Sequence, residues 1–398
     1  MRNLLYYTFL SSVAQSIYRI VFNLFLRDIG FNNTFISHIT SLEMIGSAFL
    51  GLVIGIMGDK YGKKLMLIVS SIIFALITFL RVSFPTEHML LYTALINGGV
   101  LTSRMILLNS LIVDITTHDN RGKYFGYNFG IFMGSGLIGN LIGGTIGEFL
   151  GFGTALFITG VTHLSSNLFL FLVHENKEHH SNISIKEIFN LNDFSKLQSH
   201  IVKIHLIRTF LIGFGAGLFV NFGNVIFKDL FNMQPTMIGI ALAFAQLGAS
   251  LGSIFSSKLS RKFGAYQFTF FMNILVIPLI ISFAMVRDPY VFTLLYALRF
   301  SFMNMTNPVS TTIIMSYIPQ NKITTISSFR NFLNFIARSL AALMFGYITS
   351  FSSGYSYLFL ISAVFYFVSL ILLKNLFKPI LNDEIFLKLY KTTQSIEK

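Results

Sequence analysis

The chain has no cysteine, 7 prolines and only 11% charged residues in 398 positions. Without cysteine there is no disulfide framework, no zinc ribbon and no thiol nucleophile. A soluble domain carries about 25% charged residues to solvate its surface. This chain has less than half of that, which excludes an ordinary soluble protein. Carboxylates are the scarcest charged class, 16 against 29 lysines and arginines, for a net charge of +13. In a soluble protein that excess would suggest nucleic acid. Here the basic residues are too few and too dispersed, so no nucleic-acid partner is expected. No Gly-x-x-x-x-Gly-Lys-Ser/Thr pattern occurs, which argues against nucleotide drive within the chain. Neither a catalytic constellation nor a metal-ligand set is found, and no pore loop suggests a channel. No enzyme and no bound cofactor are expected.

What is present is apolar: 54% hydrophobic residues and a mean hydropathy of +0.69. A helix needs about 20 apolar residues to cross a bilayer. Twelve such stretches lie near 4–26, 35–57, 65–82, 89–113, 124–148, 154–173, 204–226, 237–257, 266–286, 290–317, 325–350 and 356–373. The first begins close to Met1 with no small-residue cleavage site after it, so a cleaved signal peptide is not expected. The longest polar stretch divides the spans six and six. This gives an all-α polytopic membrane protein with bundles over 1–174 and 203–374, a central loop over 175–202 and a tail over 375–398. Ser184–Phe189 within the loop reads either as a short amphipathic surface helix or as a polar connector. If the N-terminus is cytoplasmic, nineteen basic residues fall in inner loops and tails, among them Lys60, Lys63, Lys64, Arg121 and Lys322. Only Arg27, Arg81, Lys228 and Arg287 fall outside. The positive-inside rule therefore puts both termini in the cytoplasm.

The halves echo each other at an offset near 200 residues. Gly58-Asp59-Lys60-Tyr61-Gly62-Lys63-Lys64 follows the second span, and Ser260-Arg261-Lys262-Phe263-Gly264 follows the eighth. Such parallel repeats mark transporter folds. Gly55-x-x-x-Asp59-Lys60-x-Gly62-Lys63-Lys64 resembles the loop signature of the major facilitator superfamily, in the place where that family has it. Arg104 resembles the family's fourth-span arginine motif, although Leu108 stands where a glycine is usual. Gly139-Asn140-Leu141-Ile142-Gly143-Gly144 resembles the fifth-span antiporter signature, with Asn140 in place of its proline. The resemblance implies two pseudo-symmetric six-helix bundles around a cavity lined by helices one, four, seven and ten. It also implies that Asp59 meets the start of the eleventh span and that Lys63 pairs with Asp114, forming a breakable cytoplasmic latch with Gly55, Lys60, Gly62 and Arg121. Mere topology signalling is the plainer reading of the lysines.

A charge inside a span costs roughly 2.5–3.5 kcal/mol on insertion scales. The interior ionisable residues are Arg19, Glu43, Arg104, Arg299 and Arg338, with His163. Counting residues from the outer helix ends puts Arg19 and Glu43 at one depth, so a Glu43–Arg19 pair is expected, either static or as a proton-coupling site. Glu148 is the reserve acid. Gln15 and Arg19 share a polar face of the first span, Asn97 and Arg104 one of the fourth, and Asn334 and Arg338 one of the eleventh; on the tenth, Arg299 lies on a strip with Met303, Thr306 and Ser310, with Asn304 and Asn307 beside it. Polar faces at membrane depth look onto a water-filled cavity or bond other helices. Gly126, Gly130 and Gly134, then Gly139, Gly143, Gly144 and Gly147, read as close-packing positions on span five, and Pro278 and Pro308 as kinks.

The expected function is secondary active transport of a small solute by alternating access, driven by the proton gradient, with export as the leading direction. Proton-coupled uptake of an anionic or zwitterionic metabolite is the alternative, suggested by the excess of interior arginines. A non-transporting receptor or scaffold on the same fold is a further one. A monomer in the plasma membrane, with the lipid bilayer and the solute as partners, completes the expectation.

Overall fold

A computed structural model describes residues 1–175, 194–319, 322–381, 383 and 386. The segment Ser184–Phe189 lies outside the described residues. Among them every regular element is helical. Six helices come first: α1 (Arg2–Asp28), α2 (Asn33–Tyr61), α3 (Lys63–Ser83), α4 (Glu87–Asp114), α5 (His118–Phe149) and α6 (Phe152–Phe171). Then follow α7 (Lys196–Gly217), a 3₁₀ turn (Val220–Phe222), α8 (Gly223–Phe231), α9 (Pro235–Phe263), α10 (Ala265–Met285), α11 (Pro289–Ser316), α12 (Ile323–Ile348) and α13 (Gly354–Phe377). Counting α7 and α8 as one interrupted span, eleven are long and apolar enough to cross a membrane. The twelfth, α11, has the length, 28 residues, but carries Arg299, Asn304 and Asn307 in its middle.

The repeat is visible in helix length. Both α2 and α9 have 29 residues, α3 and α10 have 21, and α4 and α11 have 28. A single glycine joins α2 to α3 and α9 to α10: Gly62 at φ 105° and Gly264 at φ 79°. Only glycine takes such angles without strain, so these two positions turn the chain between antiparallel spans in one residue. Starts are capped by the expected chemistry. Asn32 accepts from Phe35 N at 2.9 Å, and Asp288 accepts from Tyr290 N and Val291 N at 2.9 and 2.8 Å, ahead of Pro289. Asn120 belongs to a capping box with Thr117 that opens α5.

The chain forms two compact units. One contains Met1–Ile183 with Asn221–Phe244 and Ala342–Ser350; the other contains Ser184–Val220, Ala245–Ala341 and Phe351–Lys398. In the first, α2 and α4 touch backbone to backbone. A Cβ on Gly46 would lie 1.8 Å from Leu95 O, and one on Gly98 would lie 1.8 Å from Glu43 O. Gly139 and Gly143 give α5 the same intimacy with α1, through Val13, Ser16, Ile17 and Ile20, while Gly144 lies against Pro235 and Gly239 of α9. Gly126, Gly130 and Gly134, read as close-packing positions, meet nothing within 4 Å. Leu108 is buried in a cluster with Leu4, Leu107 and Leu111, which explains a large residue where the family has glycine. Pro278 and Pro308 sit inside unbroken helices. The real interruption is at Leu218–Phe222, which contains no proline. It follows Gly213, Gly215 and Gly217, and that glycine run was the available signal.

Candidate functional site

Glu43 is the one carboxylate in the middle of a span among the described helices; Asp28, Asp59, Glu87, Asp114, Asp119, Glu148 and Asp229 all sit near helix ends. Its Oε1 accepts from Arg81 Nη1 at 2.8 Å, from Asn97 Nδ2 at 2.8 Å and from Tyr18 OH at 3.1 Å. Glu43 therefore pairs with Arg81 of α3, and the expected Glu43–Arg19 pair is not formed. Depth alone suggested Arg19, but depth leaves the direction around the helix open. Tyr18 is the α1 residue turned to Glu43, and its neighbour Arg19 leaves the helix about 100° further round. Arg81, counted from sequence as an outer-loop charge, is fully buried. Its Nε donates to Thr93 Oγ1 at 2.8 Å, its Nη2 to Leu90 O at 3.4 Å, its Nη1 also to Tyr18 OH, and its plane lies 4.6 Å from the Phe22 ring centre. A buried charge needs this pairing to be tolerated.

Arg19 is exposed and makes no hydrogen bond or ion pair with a described side chain. Arg104 is buried and held by neutral oxygens: Ser11 Oγ at 2.7 Å, Ser12 Oγ at 3.2 Å and Gln15 Oε1 at 2.7 Å. Its Nε has no partner, nor has His163 Nδ1. Asn97, read as a cavity residue, is fully buried and serves Glu43 instead. In the second unit Arg299 is buried, bonds Tyr366 OH, and lies 4.8, 5.0 and 5.5 Å from the ring centres of Phe219, Phe300 and Tyr366. Its charge is met by π-faces. Arg338 Nε donates to Asn334 Oδ1 at 3.0 Å, Asn304 Nδ2 returns to Phe300 O at 2.8 Å, and Asn307 is exposed.

The basic end of the first unit contains a bonded cluster. Lys63 Nζ lies 2.5 Å from Asp114 Oδ2 and 3.7 Å from Asp59 Oδ1, with its side chain buried. Glu175, which sequence reasoning missed, accepts from Lys63 N at 2.6 Å and Lys64 N at 3.2 Å, so a carboxylate caps α3 where the helix dipole favours one. Lys64 Nζ answers by donating to Phe171 O and Val173 O at the end of α6, at 2.8 and 2.7 Å. Lys64 is thus a helix clamp as well as a topology charge. Lys60 lies over the Tyr61 ring, and Arg121 reaches Val113 O at 3.4 Å. Gly58, between the signature positions, is tighter than Gly55 of the signature itself: a Cβ there would meet Leu107 Cδ2 at 2.1 Å, whereas one on Gly55 would meet Ile106 Cγ2 at 3.2 Å.

At the opposite end of the same unit lies a second cluster that the sequence left unread. Arg27 Nη2 grips both oxygens of Asp229, at 2.8 and 2.7 Å, and its Nη1 donates to Asn33 Oδ1 at 3.1 Å. Asn33 Nδ2 donates to Asp229 Oδ2 at 3.1 Å. Glu148 Oε2 accepts from Thr236 N at 2.9 Å, so the reserve acid is a cap for the start of α9. Beside these, Asn23 Nδ2 satisfies Asn221 O at 3.1 Å and Asn224 Nδ2 donates to Ile20 O at 2.6 Å. An interrupted helix at membrane depth must find partners for its freed backbone groups.

A family model for the Major Facilitator Superfamily matches residues 4–342. The quinolone resistance protein NorA of Staphylococcus aureus (strain Mu50 / ATCC 700699) is 23% identical over 246 residues, 62% of each chain. A multi-drug resistance efflux pump PmrA homolog of Lactococcus lactis subsp. lactis (strain IL1403) is 23% identical over 256 residues, 63% of this chain and 62% of that one. The chain thus spans about 62% of the length of these curated relatives. The crystal structure of the nucleoside transporter NupG superposes with a TM-score of 0.75 at 18% identity, covering 94% of this chain and 98% of that one.

Proposed function

Since the chain belongs to the major facilitator superfamily and is a multi-pass membrane transporter, we propose that it exports a small solute across the plasma membrane in exchange for protons. Both termini lie in the cytoplasm, and the protein works as a monomer by alternating access. Relatives named for drug resistance and efflux support the direction. The observation that carries the coupling is Glu43, the one mid-span carboxylate among the described helices, whose Oε2 accepts from no described residue. A cationic group of the solute that reaches this oxygen competes with the proton, and mutually exclusive binding is the linkage that exchange requires. Asp59, Lys63 and Asp114 form the cytoplasmic gate, and Arg27 with Asp229 closes the outer end. Gln15 and Arg104 are the polar solute contacts offered by the first unit; Arg299, Asn304, Asn307, Asn334 and Arg338 are those offered by the second.

The test begins with a thermal-shift screen of purified protein against metabolites and cationic dyes. The hits then enter proteoliposomes with an entrapped pH dye. Wild-type protein moves protons against the solute, and Glu43→Gln binds the solute but moves no protons. Unchanged proton flux in Glu43→Gln rejects the coupling role. A second reading, proton-coupled uptake of an anionic or zwitterionic solute, is favoured by the exposed Arg19, which has no bonding partner among the described side chains. Glu43 is already occupied by Arg81, so Arg19 stays available to a carboxylate or phosphate. Counterflow of a labelled anionic hit, lost in Arg19→Gln, distinguishes it.

A further inference from the structure

The second unit contains a group of cations that no described carboxylate answers. Arg208 of α7 is 5% exposed, and its Nε donates to Ser369 O of α13 at 3.1 Å. Arg330 of α12 gives one N–H to Asn331 Oδ1 at 3.2 Å. Neither arginine forms an ion pair with a described residue. The described carboxylates of this unit are Asp288, which caps the start of α11, and Asp383, which accepts from Tyr317 OH at 2.8 Å. Beside the arginines stands His205 of α7, 8% exposed, whose buried Nε2 bonds to no described residue. It lies within Coulombic reach of both Arg330 and Arg208.

Helix register brings these groups together. A Cβ on Gly213 would lie 2.9 Å from Asn334 Nδ2, and one on Gly217 would lie 2.9 Å from Arg338 Cα. The two helices therefore run parallel and in step, and one turn earlier Thr209 of α7 comes level with Arg330 of α12. Thr209 Oγ1 in turn donates to His205 O at 2.9 Å. Ile201 and Val202 of α7 pack in one apolar cluster with Ile326 of α12 and Leu373 of α13, which holds the three helices together at this end. The apolar run of α7 opens at Ile204. His205 and Arg208 thus lie within about 6 Å of its start, the depth at which lipid headgroups meet acyl chains.

A buried charge is tolerated when it is paired, and a guanidinium has five N–H donors, more than these two arginines have bonded. We infer that this end of the second unit binds a phosphate-class anion, with His205 Nε2 and the Arg330 guanidinium as its donors and Arg208 as the buried charge behind them. Donors arriving from two helices suit the spread oxygens of a phosphate better than a flat carboxylate, and the planar fork of arginine matches phosphate geometry. The imidazole donates when its proton is on Nε2. The phosphate is either that of a lipid headgroup or a free one, inorganic or carried on a soluble molecule. Glu43 belongs to the other unit and has no part in this site.

Melting of the purified full-length chain in detergent tests the site. Inorganic phosphate and a short-chain phosphatidic acid are the two probes, with chloride at equal ionic strength and the matching diacylglycerol as controls. Wild-type protein is stabilised in a saturable way by at least one probe and by neither control. In His205→Leu and in Arg330→Gln the concentration giving half the effect rises roughly tenfold or more. His205→Gln and Arg330→Lys, which keep a donor, lose less. Stabilisation by phosphatidic acid alone supports a lipid headgroup as the source; stabilisation by inorganic phosphate supports a soluble anion. No stabilisation by either probe, or a shift that the controls reproduce, overturns the site. So does a half-effect concentration that is the same in wild type, His205→Leu and Arg330→Gln. Arg330 is half-buried, so its variants keep the test decisive should His205→Leu fail to fold.

Discussion

Burial makes Arg81 depend on Glu43 more than Glu43 depends on Arg81. The guanidinium is fully enclosed, while the carboxylate retains some exposure. Breaking a buried pair by deleting one partner leaves an uncompensated charge and costs about 3–5 kcal/mol. Glu43→Ala should therefore lower thermal stability by an amount of that order. The double variant Glu43→Gln with Arg81→Met should recover most of it, because neither charge remains. A fluorescence-detected melting series on the wild type and these two variants checks this, and equal losses in the single and double variants contradict it.

At the scale of the helices, glycine marks both contact and vacancy. Gly98 lies where α4 touches the α2 backbone at Glu43, so Gly98→Ala pushes a methyl into a carbonyl and separates the pair that carries the site. Overpacking of this kind costs about 1–3 kcal/mol, and more where backbone must move. Gly130 on α5 meets nothing within 4 Å. There Gly130→Ala should stabilise the helix by up to about 1 kcal/mol through propensity alone. Melting temperatures moving in opposite directions for the two substitutions would bear this out. The interruption between α7 and α8 follows the same logic of satisfied backbone. Asn23 and Asn224 stitch it to α1, so its position is set by side chains from another helix as well as by the preceding glycines.

For the whole molecule, the proposed role of Arg27 and Asp229 as the outer closure predicts that the cluster of Arg27, Asn33 and Asp229 opens at some point in the cycle. Its bidentate, charge-assisted bonds are of the stronger kind. The chain contains no cysteine, so a single cysteine at Asn23 reports access without background. Asp229→Ala should raise its labelling by a membrane-impermeant maleimide several-fold, and Arg27→Asp combined with Asp229→Arg should bring it back down. Equal labelling in all forms would show that the pair is not a gate. The side from which the reagent acts also reads out the orientation of the termini.

Hydropathy, loop glycines and the loop signature are local properties, and they were enough to place twelve spans, the parallel repeat and the family. They also singled out Glu43, because a charge is conspicuous wherever the surrounding twenty residues are apolar. Choosing its partner was beyond them. Counting along the sequence put Arg19 at the depth of Glu43 and Arg81 in an outer loop, and only the packing of α1, α3 and α4 shows that Arg81 and Asn97 bond the carboxylate while Arg19 does not. The Arg27–Asp229 pair was invisible for a related reason: its members stand 202 positions apart with no periodicity linking them. One chain of apolar helices therefore specifies a bilayer fold from sequence alone. Which few charges neutralise one another, and which is left open to a proton or a solute, is decided by tertiary packing, because a charge in low dielectric is governed by whatever stands within a few ångströms of it.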